Sequence, residues 1–186
     1  TGNDTLSLSD TGSVAGANSS GVMASTNSFS TLDGINMCTI DGTHSITYTG
    51  LAQTNLNLGA GNYKLAITGT YKNSTGSVVT TVNTGSGTNI INIGSAATPA
   101  GTGAGNLAGI QGQLNIVGGG NDTVNIDNTG ATTALPGYLT GTQLSGLGMG
   151  PGISISGSGF SLGTSLFAAA DFAGLTTFAY NFFADS

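Results

Sequence analysis

Leu114–Gly130, with the sequence LNIVGGGNDTVNIDNTG, is the stretch that indicates the fold of this chain. Its two short runs on either side of the glycines alternate apolar and polar side chains, as in strands that bury one face. Between the runs lie Gly118, Gly119 and Gly120, which can adopt the positive φ of a tight corner. The stretch therefore predicts two strands joined by a glycine corner.

The same corner recurs along the chain as a Gly-x-Gly pattern followed by a strand. Three copies place Tyr63, Asn89 and Asp122 at the equivalent position, and a truncated copy at the start of the chain places Asp4 there. Longer matches pair DTLSLSDTG with DTVNIDNTG and ITYTG with ISISG. Tandem repeats of this kind are typical of solenoids, in which each turn buries its apolar face against its neighbours.

The composition favours strands and excludes several partners. Charged residues make up 5% of the 186-residue chain, and its net charge is −6, whereas ordinary domains carry about 25% charged residues. A surface of Thr, Ser, Asn and Gly suits β structure. Lys64 and Lys72 are the only cationic side chains apart from His44, so no basic patch can neutralise phosphates or anionic lipid. We therefore expect neither nucleic-acid binding nor membrane insertion.

We predict an all-β fold, a parallel β-solenoid of the β-helix or β-roll type with glycine-rich corners, over residues 1–165. A turn of roughly 20–25 residues would give about seven or eight coils rising ~4.8 Å each. A β-sandwich is the alternative, because short strands with glycine turns fit it too. A long loop is predicted for residues 9–31, and a short helix or wide turn for residues 131–152. The side chains expected to point inward are Leu56, Leu58, Leu65, Ile67, Val82, Ile91, Ile93, Leu114, Ile116, Val124 and Ile126.

Residues 166–186 form a second region, an aromatic tail. From Leu166 to Phe183 the tail carries one charge, Asp171, and it is too interrupted for a membrane span. We predict that it is either a small cap or a strand exchanged with a neighbouring copy. The candidate assembly residues are Phe167, Phe172, Phe178, Tyr180, Phe182 and Phe183.

The glycine corner resembles the calcium-binding nonapeptide of RTX toxins and proteases, which implies Ca²⁺ held between stacked turns that bear Asp. Ca²⁺ takes 6 to 8 oxygen ligands and favours carboxylates. In this chain only Asp4 and Asp122 keep the acid, since Tyr63 and Asn89 replace it elsewhere. Asp4 and Asp122 are thus weak metal candidates, and we expect the corners to be structural, with no cofactor.

Two longer segments, Leu107–Gly130 and Leu139–Gly157, resemble the long repeats of very large secreted or cell-surface bacterial proteins of the adhesin type. The resemblance implies an extracellular, extended and non-enzymatic protein. The chain begins at Thr1 with no signal-like segment, which we interpret as removal of a signal or excision from a precursor. We predict a structural subunit that associates with copies of itself in a fibre, sheath or surface layer. The alternatives are a monomeric adhesin stalk that binds glycans or surfaces, and a calcium-binding repeat module.

Catalysis is not expected. Only Asp33, Asp41 and His44 fall close together among groups that could act as acid or base, and an Asp-Gly turn accounts for Asp41. The single cysteine, Cys38, cannot form an internal disulfide, and one Cys with one His cannot make a zinc site. Four glycosylation sequons, whose first residues are Asn3, Asn18, Asn73 and Asn121, are close to what chance gives in a chain rich in Asn and Thr.

Overall fold

The computed structural model describes residues 4–16, 18–25, 30–33, 45–72, 78–158 and 160–163. Within these ranges the chain forms strands and turns and no helix, which confirms the all-β prediction. The strands are β1 (Thr5–Ser9), β2 (Asn18–Ser25), β3 (Ser30–Asp33), β4 (Ser45–Tyr48), β5 (Gln53–Asn57), β6 (Asn62–Ile67), β7 (Val79–Asn83), β8 (Thr88–Ile93), β9 (Gln113–Gly118), β10 (Asn121–Ile126), β11 (Gly137–Leu139), β12 (Gln143–Gly146), β13 (Ile153–Gly157) and β14 (Phe160–Gly163).

The strands make two seven-stranded sheets. The first has the order β1-β5-β7-β9-β13-β12-β11, and the second has the order β14-β10-β8-β6-β2-β3-β4. In the first sheet β1, β5, β7, β9 and β13 are parallel neighbours, and in the second sheet β2, β6, β8, β10 and β14 are. An antiparallel pair extends each sheet at one end, β12 and β11 in the first and β3 and β4 in the second. Both sheets are thus mixed, with a parallel centre.

One apolar core lies between the sheets. All eleven side chains predicted to point inward are buried, with exposed fractions between 0% and 3%. They come from strands of both sheets and belong to one cluster, so the sheets pack face to face. Alternation decides this arrangement, because successive side chains of a strand point to opposite faces and one set is apolar. This part of the prediction is confirmed.

The predicted turn length is wrong. In the first sheet the parallel neighbours lie 48 (53 − 5), 26 (79 − 53), 34 (113 − 79) and 39 (153 − 114) residues apart along the chain. Five strands are parallel neighbours in each sheet across the described ranges, where seven or eight coils of uniform length were expected. The longest separations arise because β3 and β4, or β11 and β12, are inserted between strands that pair.

Two local predictions are also wrong. The polar stretch expected to be a loop at residues 9–31 contains β2 and the start of β3, and Met23 of β2 is buried. The stretch expected to hold a helix or wide turn contains β11 and β12, with Leu144 buried in the core. In both places a few apolar side chains at alternate positions are sufficient for a short strand that pairs with an existing sheet.

The longer sequence matches do not stack on one another. DTLSLSDTG contains β1 of the first sheet, whereas DTVNIDNTG contains β10 of the second. ITYTG contains β4 of the second sheet, whereas ISISG contains β13 of the first. The matched segments are therefore strands of opposite sheets.

Residues 166–186 lie outside the described residues, and so does the predicted aromatic cap or exchanged strand. Across the part of the chain that is described, no helix is long and apolar enough to span a membrane.

Candidate functional site

The three complete glycine corners lie side by side at the starts of β6, β8 and β10 in the second sheet. Asp122 of β10 is in register with Asn89 of β8, and the backbone N–H of Tyr63 in β6 donates to Asn89 Oδ1 at 3.0 Å. All three side chains are buried, with exposed fractions of 1% for Tyr63, 0% for Asn89 and 2% for Asp122. We call Tyr63, Asn89 and Asp122 the corner column.

Both carboxylate oxygens of Asp122 accept hydrogen bonds inside the protein. Asn89 Nδ2 donates to Asp122 Oδ1 at 2.7 Å, and Thr84 Oγ1 donates to Asp122 Oδ2 at 2.6 Å. Asn89 Nδ2 also donates to the carbonyl oxygen of Thr84 at 3.0 Å. A buried carboxylate is costly unless it is hydrogen-bonded, and these contacts supply the bonds that stabilise Asp122 in the core.

Tyr63 ends the corner column with a different set of contacts. Its hydroxyl donates to Asp10 Oδ2 at 2.8 Å and accepts from the N–H of Gly59 at 3.2 Å. Burial, together with the neighbouring Asp10 carboxylate, raises the pKa of the Tyr63 phenol above its ordinary value of 10.0. The neutral phenol is therefore the form that the fold favours.

The structure does not bring the two metal candidates together. Asp4 is exposed and directly precedes β1 of the first sheet, whereas Asp122 lies in β10 of the second sheet. The neighbours of Asp122 include an amide N–H₂ group, which cannot ligate Ca²⁺, and the described residues contain no cluster of three metal-ligating side chains. The geometry of Asp122 is that of a structural hydrogen-bond acceptor.

Of the residues considered for catalysis, Asp41 and His44 lie outside the described residues. Asp33 ends β3, where its backbone is in register with Val22 of β2 and Ser45 of β4. Among the sequons, Asn18 and Asn121 are exposed at the starts of β2 and β10, while Asn3 and Asn73 are not described.

Sequence reasoning missed a second buried polar pair, Asp127 and Asn128, which follows β10. Asp127 Oδ2 accepts from the N–H of Gly105 at 2.8 Å, and Asn128 Oδ1 accepts from the N–H of Leu107 at 3.2 Å. The pair fixes the loop that precedes β9. Its only signal in the sequence is an Asp-Asn step directly after a strand, which also occurs at ordinary turns.

A surface groove of about 530 Å³ lies over the starts of β2, β6 and β8. Asn18, Asn62, Lys64 and Thr88 are among its lining residues, and its one aromatic residue, Tyr63, is buried. An exposed aromatic face in this groove would favour the alternative of a monomeric adhesin stalk that binds glycans. The groove lacks such a face, while the exposed Tyr138 lies on β11 at the far end of the first sheet.

The four strands that end the two sheets share an unusual composition. They are β1 (TLSLS), β11 (GYL), β4 (SITY) and β14 (FSLG). None contains a charged residue or a proline. Natural sheets commonly block their edges with such residues, because an open edge is a template for another strand. The candidate assembly residues of the aromatic tail, Phe167 to Phe183, lie outside the described residues.

Comparison with protein-family models, with curated proteins and with solved structures finds no match for this chain.

Proposed function

We propose that this chain is an extracellular structural protein that associates with copies of itself in a fibre, sheath or surface layer. Its body would be a short, irregular β-solenoid in which the chain alternates between two sheets. The protein would be secreted or held at the cell surface, with no enzymatic activity, no resident cofactor and no nucleic-acid partner.

The observation that carries this proposal is the combination of parallel-centred sheets with edge strands that lack charge and proline. A strand at the edge of a sheet presents unpaired N–H and C=O groups that another chain can pair with. Among the described strands, β1 and β11 end the first sheet, and β4 and β14 end the second. Lys64, which could act as a charged guard, lies on the central strand β6 and not at an edge.

The alternation of the chain supports the solenoid architecture. The pairs β5/β6, β7/β8 and β9/β10 each follow one another in sequence and lie in opposite sheets. Each pair stacks in parallel on the next, so inward side chains form continuous columns such as Leu56, Val82 and Ile116. Stacked units that contact only their neighbours are the defining feature of solenoids.

Self-association is tested on the purified full chain over a wide range of concentration. Sedimentation velocity and light scattering should show growth of large species, and electron microscopy should show ordered fibres or sheets. Fibre diffraction should contain a reflection near 4.8 Å from the strand spacing. A chain that stays monomeric at millimolar concentration would overturn the proposal and favour a monomeric adhesin stalk.

A further inference from the structure

We propose that copies of this chain stack head to tail, with β11 and β14 of one copy pairing with β1 and β4 of the next. This inference rests on the proposed self-association and adds the joint, its register and its repeat distance. It places the joint at the ends of the two sheets, whereas the aromatic composition of residues 166–186 would place the joint at the tail.

Among the described strands, the two ends of the molecule are stepped in opposite senses. At one end the first sheet stops at β1, while the second sheet continues past β2 by two strands, β3 and β4. At the other end the second sheet stops at β14, while the first sheet continues past β13 by two strands, β12 and β11. When these two ends of neighbouring copies meet, the two extra strands of one copy occupy the space left where the same sheet of the other copy stops. Both sheets are then continuous from one copy to the next.

Strand direction also matches at the joint. β11 is antiparallel to β12, which is antiparallel to β13, so β11 runs parallel to β1 and the rest of the stack. By the same count β4 runs parallel to β2 and therefore to β14. Both new pairings would be parallel, like those at the centre of each sheet.

Backbone hydrogen bonds show which groups of β1 face its open edge. The N–H of Asp10 donates to Asn57 O at 2.8 Å, and the carbonyl oxygen of Asp4 accepts from the N–H of Ala52 at 2.9 Å. Even-numbered residues therefore face β5. Because alternate residues direct their N–H and C=O to opposite sides, Thr5, Ser7 and Ser9 face the edge, where no neighbouring strand is present among the described residues.

The same reasoning applies to β11. The N–H of Thr140 donates to Gln143 O at 2.8 Å, and the N–H of Leu147 donates to Pro136 O at 2.8 Å. Even-numbered residues again face the inner neighbour, here β12. The backbone groups of Gly137 and Leu139 are thus directed to the outer edge of β11.

These backbone directions, together with the inward column of side chains, set the register of β11 on β1 of the next copy. In a parallel pair, a residue whose N–H and C=O face the partner lies opposite a residue whose groups face away. Leu139 is therefore opposite Leu6 or Leu8. Successive register partners in the first sheet form one inward column, and a straight continuation of it places Leu139 opposite Leu6 of the next copy. The column is Leu6, Thr54, Thr80, Leu114, Ile153, Leu144 and Leu139. In this register the N–H of Leu139 donates to Thr5 O, and the N–H of Ser7 donates to Leu139 O.

Side-chain burial agrees with this register. Leu6 and Leu139 are both half-buried at the two ends of this column, and Leu139 packs against the core cluster. Stacking would cover both side chains and extend one core through successive copies. The interface is heterologous, because two different ends meet. Since each copy is added along the stacking direction of the strands, the proposed contact builds an open filament and not a closed ring. Seven strands per sheet at about 4.8 Å per strand give an axial repeat of about 34 Å.

The first test compares Ser7→Pro with Ser7→Ala in the full chain. Ser7 faces the open edge, so proline there leaves the bonds from β1 to β5 intact while removing the N–H that the joint requires. Both substitutions remove the 3.3 Å hydrogen bond from Asn57 Nδ2 to Ser7 Oγ, so the alanine variant is a matched control. We expect Ser7→Pro to raise the critical concentration for assembly by about tenfold or more, and Ser7→Ala to assemble like the unsubstituted chain.

The second test locates the contact directly and does not depend on the proline variant. In a Cys38→Ser background, Thr5→Cys and Tyr138→Cys place one thiol on each face of the joint, opposite each other on neighbouring strands. Strands about 4.8 Å apart allow a disulfide between facing residues. Mild oxidation should give a cross-linked dimer from a mixture of the two variants, and little from either variant alone.

The outcomes separate the joint from the function. If the unsubstituted chain stays monomeric, self-association and the joint are both wrong, with the ends covered by segments of the same chain. If it assembles but Ser7→Pro assembles equally well and the mixed cysteines do not cross-link, only the joint is wrong. A repeat near 34 Å with selective cross-linking supports the inference, and an assembled repeat unrelated to 34 Å overturns it.

Discussion

At the corner of the second sheet, Tyr63, Asn89 and Asp122 occupy equivalent positions and are linked along the stack by hydrogen bonds. Asn89 is central, since its side chain donates to Asp122 and accepts from the N–H of Tyr63. Because Asn and Tyr occupy two of the three equivalent positions, neighbouring turns do not stack like charges as three carboxylates would. The column is thus held together by internal hydrogen bonds.

Substitution of Asp122 tests the structural role of its carboxylate. Asp122→Ala would leave one Asn89 N–H without its acceptor in a buried site, and would leave the Thr84 hydroxyl only the longer bond to Val117 O at 3.3 Å. We expect a cost of about 3 kcal/mol in the free energy of unfolding. Asp122→Asn keeps the shape and should cost less. The matched control is Asp4→Ala, at an exposed position, which should change stability by less than about 0.5 kcal/mol. Urea denaturation at low protein concentration measures all three, and equal effects at the two positions would contradict the assignment.

Calcium should leave the stability unchanged. A ligand that binds only the folded state raises the melting temperature by mass action, but both oxygens of Asp122 are already engaged by Asn89 and Thr84. Thermal unfolding followed by circular dichroism in millimolar Ca²⁺ should match unfolding in chelator, with Mg²⁺ as the control cation. A rise specific to Ca²⁺ that the chelator reverses would restore the calcium-binding repeat module.

Tyr63 should make the stability fall at alkaline pH. Burial raises the pKa of Tyr63 above 10.0 in the folded protein. Its contribution to the free energy of unfolding is therefore complete below about pH 10, where tyrosine in the unfolded chain starts to ionise. The contribution is lost as the pH rises through the folded pKa. Tyr63→Phe should cost about 1–2 kcal/mol at pH 7 through the lost bonds to Asp10 and Gly59. Above pH 10 the unsubstituted chain should lose stability more steeply than the variant. If the stabilities of the unsubstituted chain and of Tyr63→Phe depend on pH in the same way, this role of Tyr63 is excluded.

At the scale of the elements, the glycine corners are required because successive turns lie almost in contact. A Cβ built on Gly87 would lie 1.8 Å from the carbonyl oxygen of Gly61, and one on Gly120 would lie 2.1 Å from that of Gly87. Real Cβ atoms do not approach a backbone oxygen so closely. The Gly-x-Gly pattern is therefore explained by backbone stacking between strands of the second sheet, with no need for a ligand.

Gly87→Ala should consequently be strongly destabilising. The clash is with backbone on the neighbouring turn, which cannot move without breaking the stack, so we expect a loss of about 3 kcal/mol or more. Gly141→Ala is the control, since nothing lies within 4 Å of a Cβ at Gly141. Chemical denaturation of the two variants measures the difference. A mild effect at Gly87 would show that the neighbouring turn can move away from the added methyl group.

At the scale of the whole molecule, the described part of the chain combines one core with four edge strands that lack charge. Small proteins normally avoid this combination, because continuous open edges lead to association. In the proposed stack, the steps at the two ends would direct association to one geometry. For the aromatic tail, Leu166–Ser186, the prediction remains that it is either a cap or a strand donated to a neighbouring copy.

Deletion of Leu166–Ser186 separates these contributions. If the sheet ends set the joint, the truncated chain should keep the axial repeat of about 34 Å expected from seven strands per sheet, even where the extent of assembly falls. Electron microscopy and light scattering on the two chains provide the comparison. Complete loss of assembly after truncation, combined with normal assembly of Ser7→Pro, would instead identify the tail as the joint.

The sequence alone determined the strand-forming character and the inward face of the central strands. Leu56, Val82, Leu114 and Val124 could be placed correctly because alternation is a local property, set by the geometry of each strand. The equivalence of Tyr63, Asn89 and Asp122 was likewise visible in the pattern, although their hydrogen bonds were not.

Only the tertiary structure decided which strands pair and where each sheet ends. Inserted segments such as β3/β4 and β11/β12 lengthen the chain between paired strands at little cost, because the entropy of loop closure grows slowly with length. Nothing local distinguishes the polar β2 from a loop until β6 lies beside it to pair with it. The two-strand steps at the ends, and thus the proposed joint, depend on these long-range pairings between residues far apart in the chain.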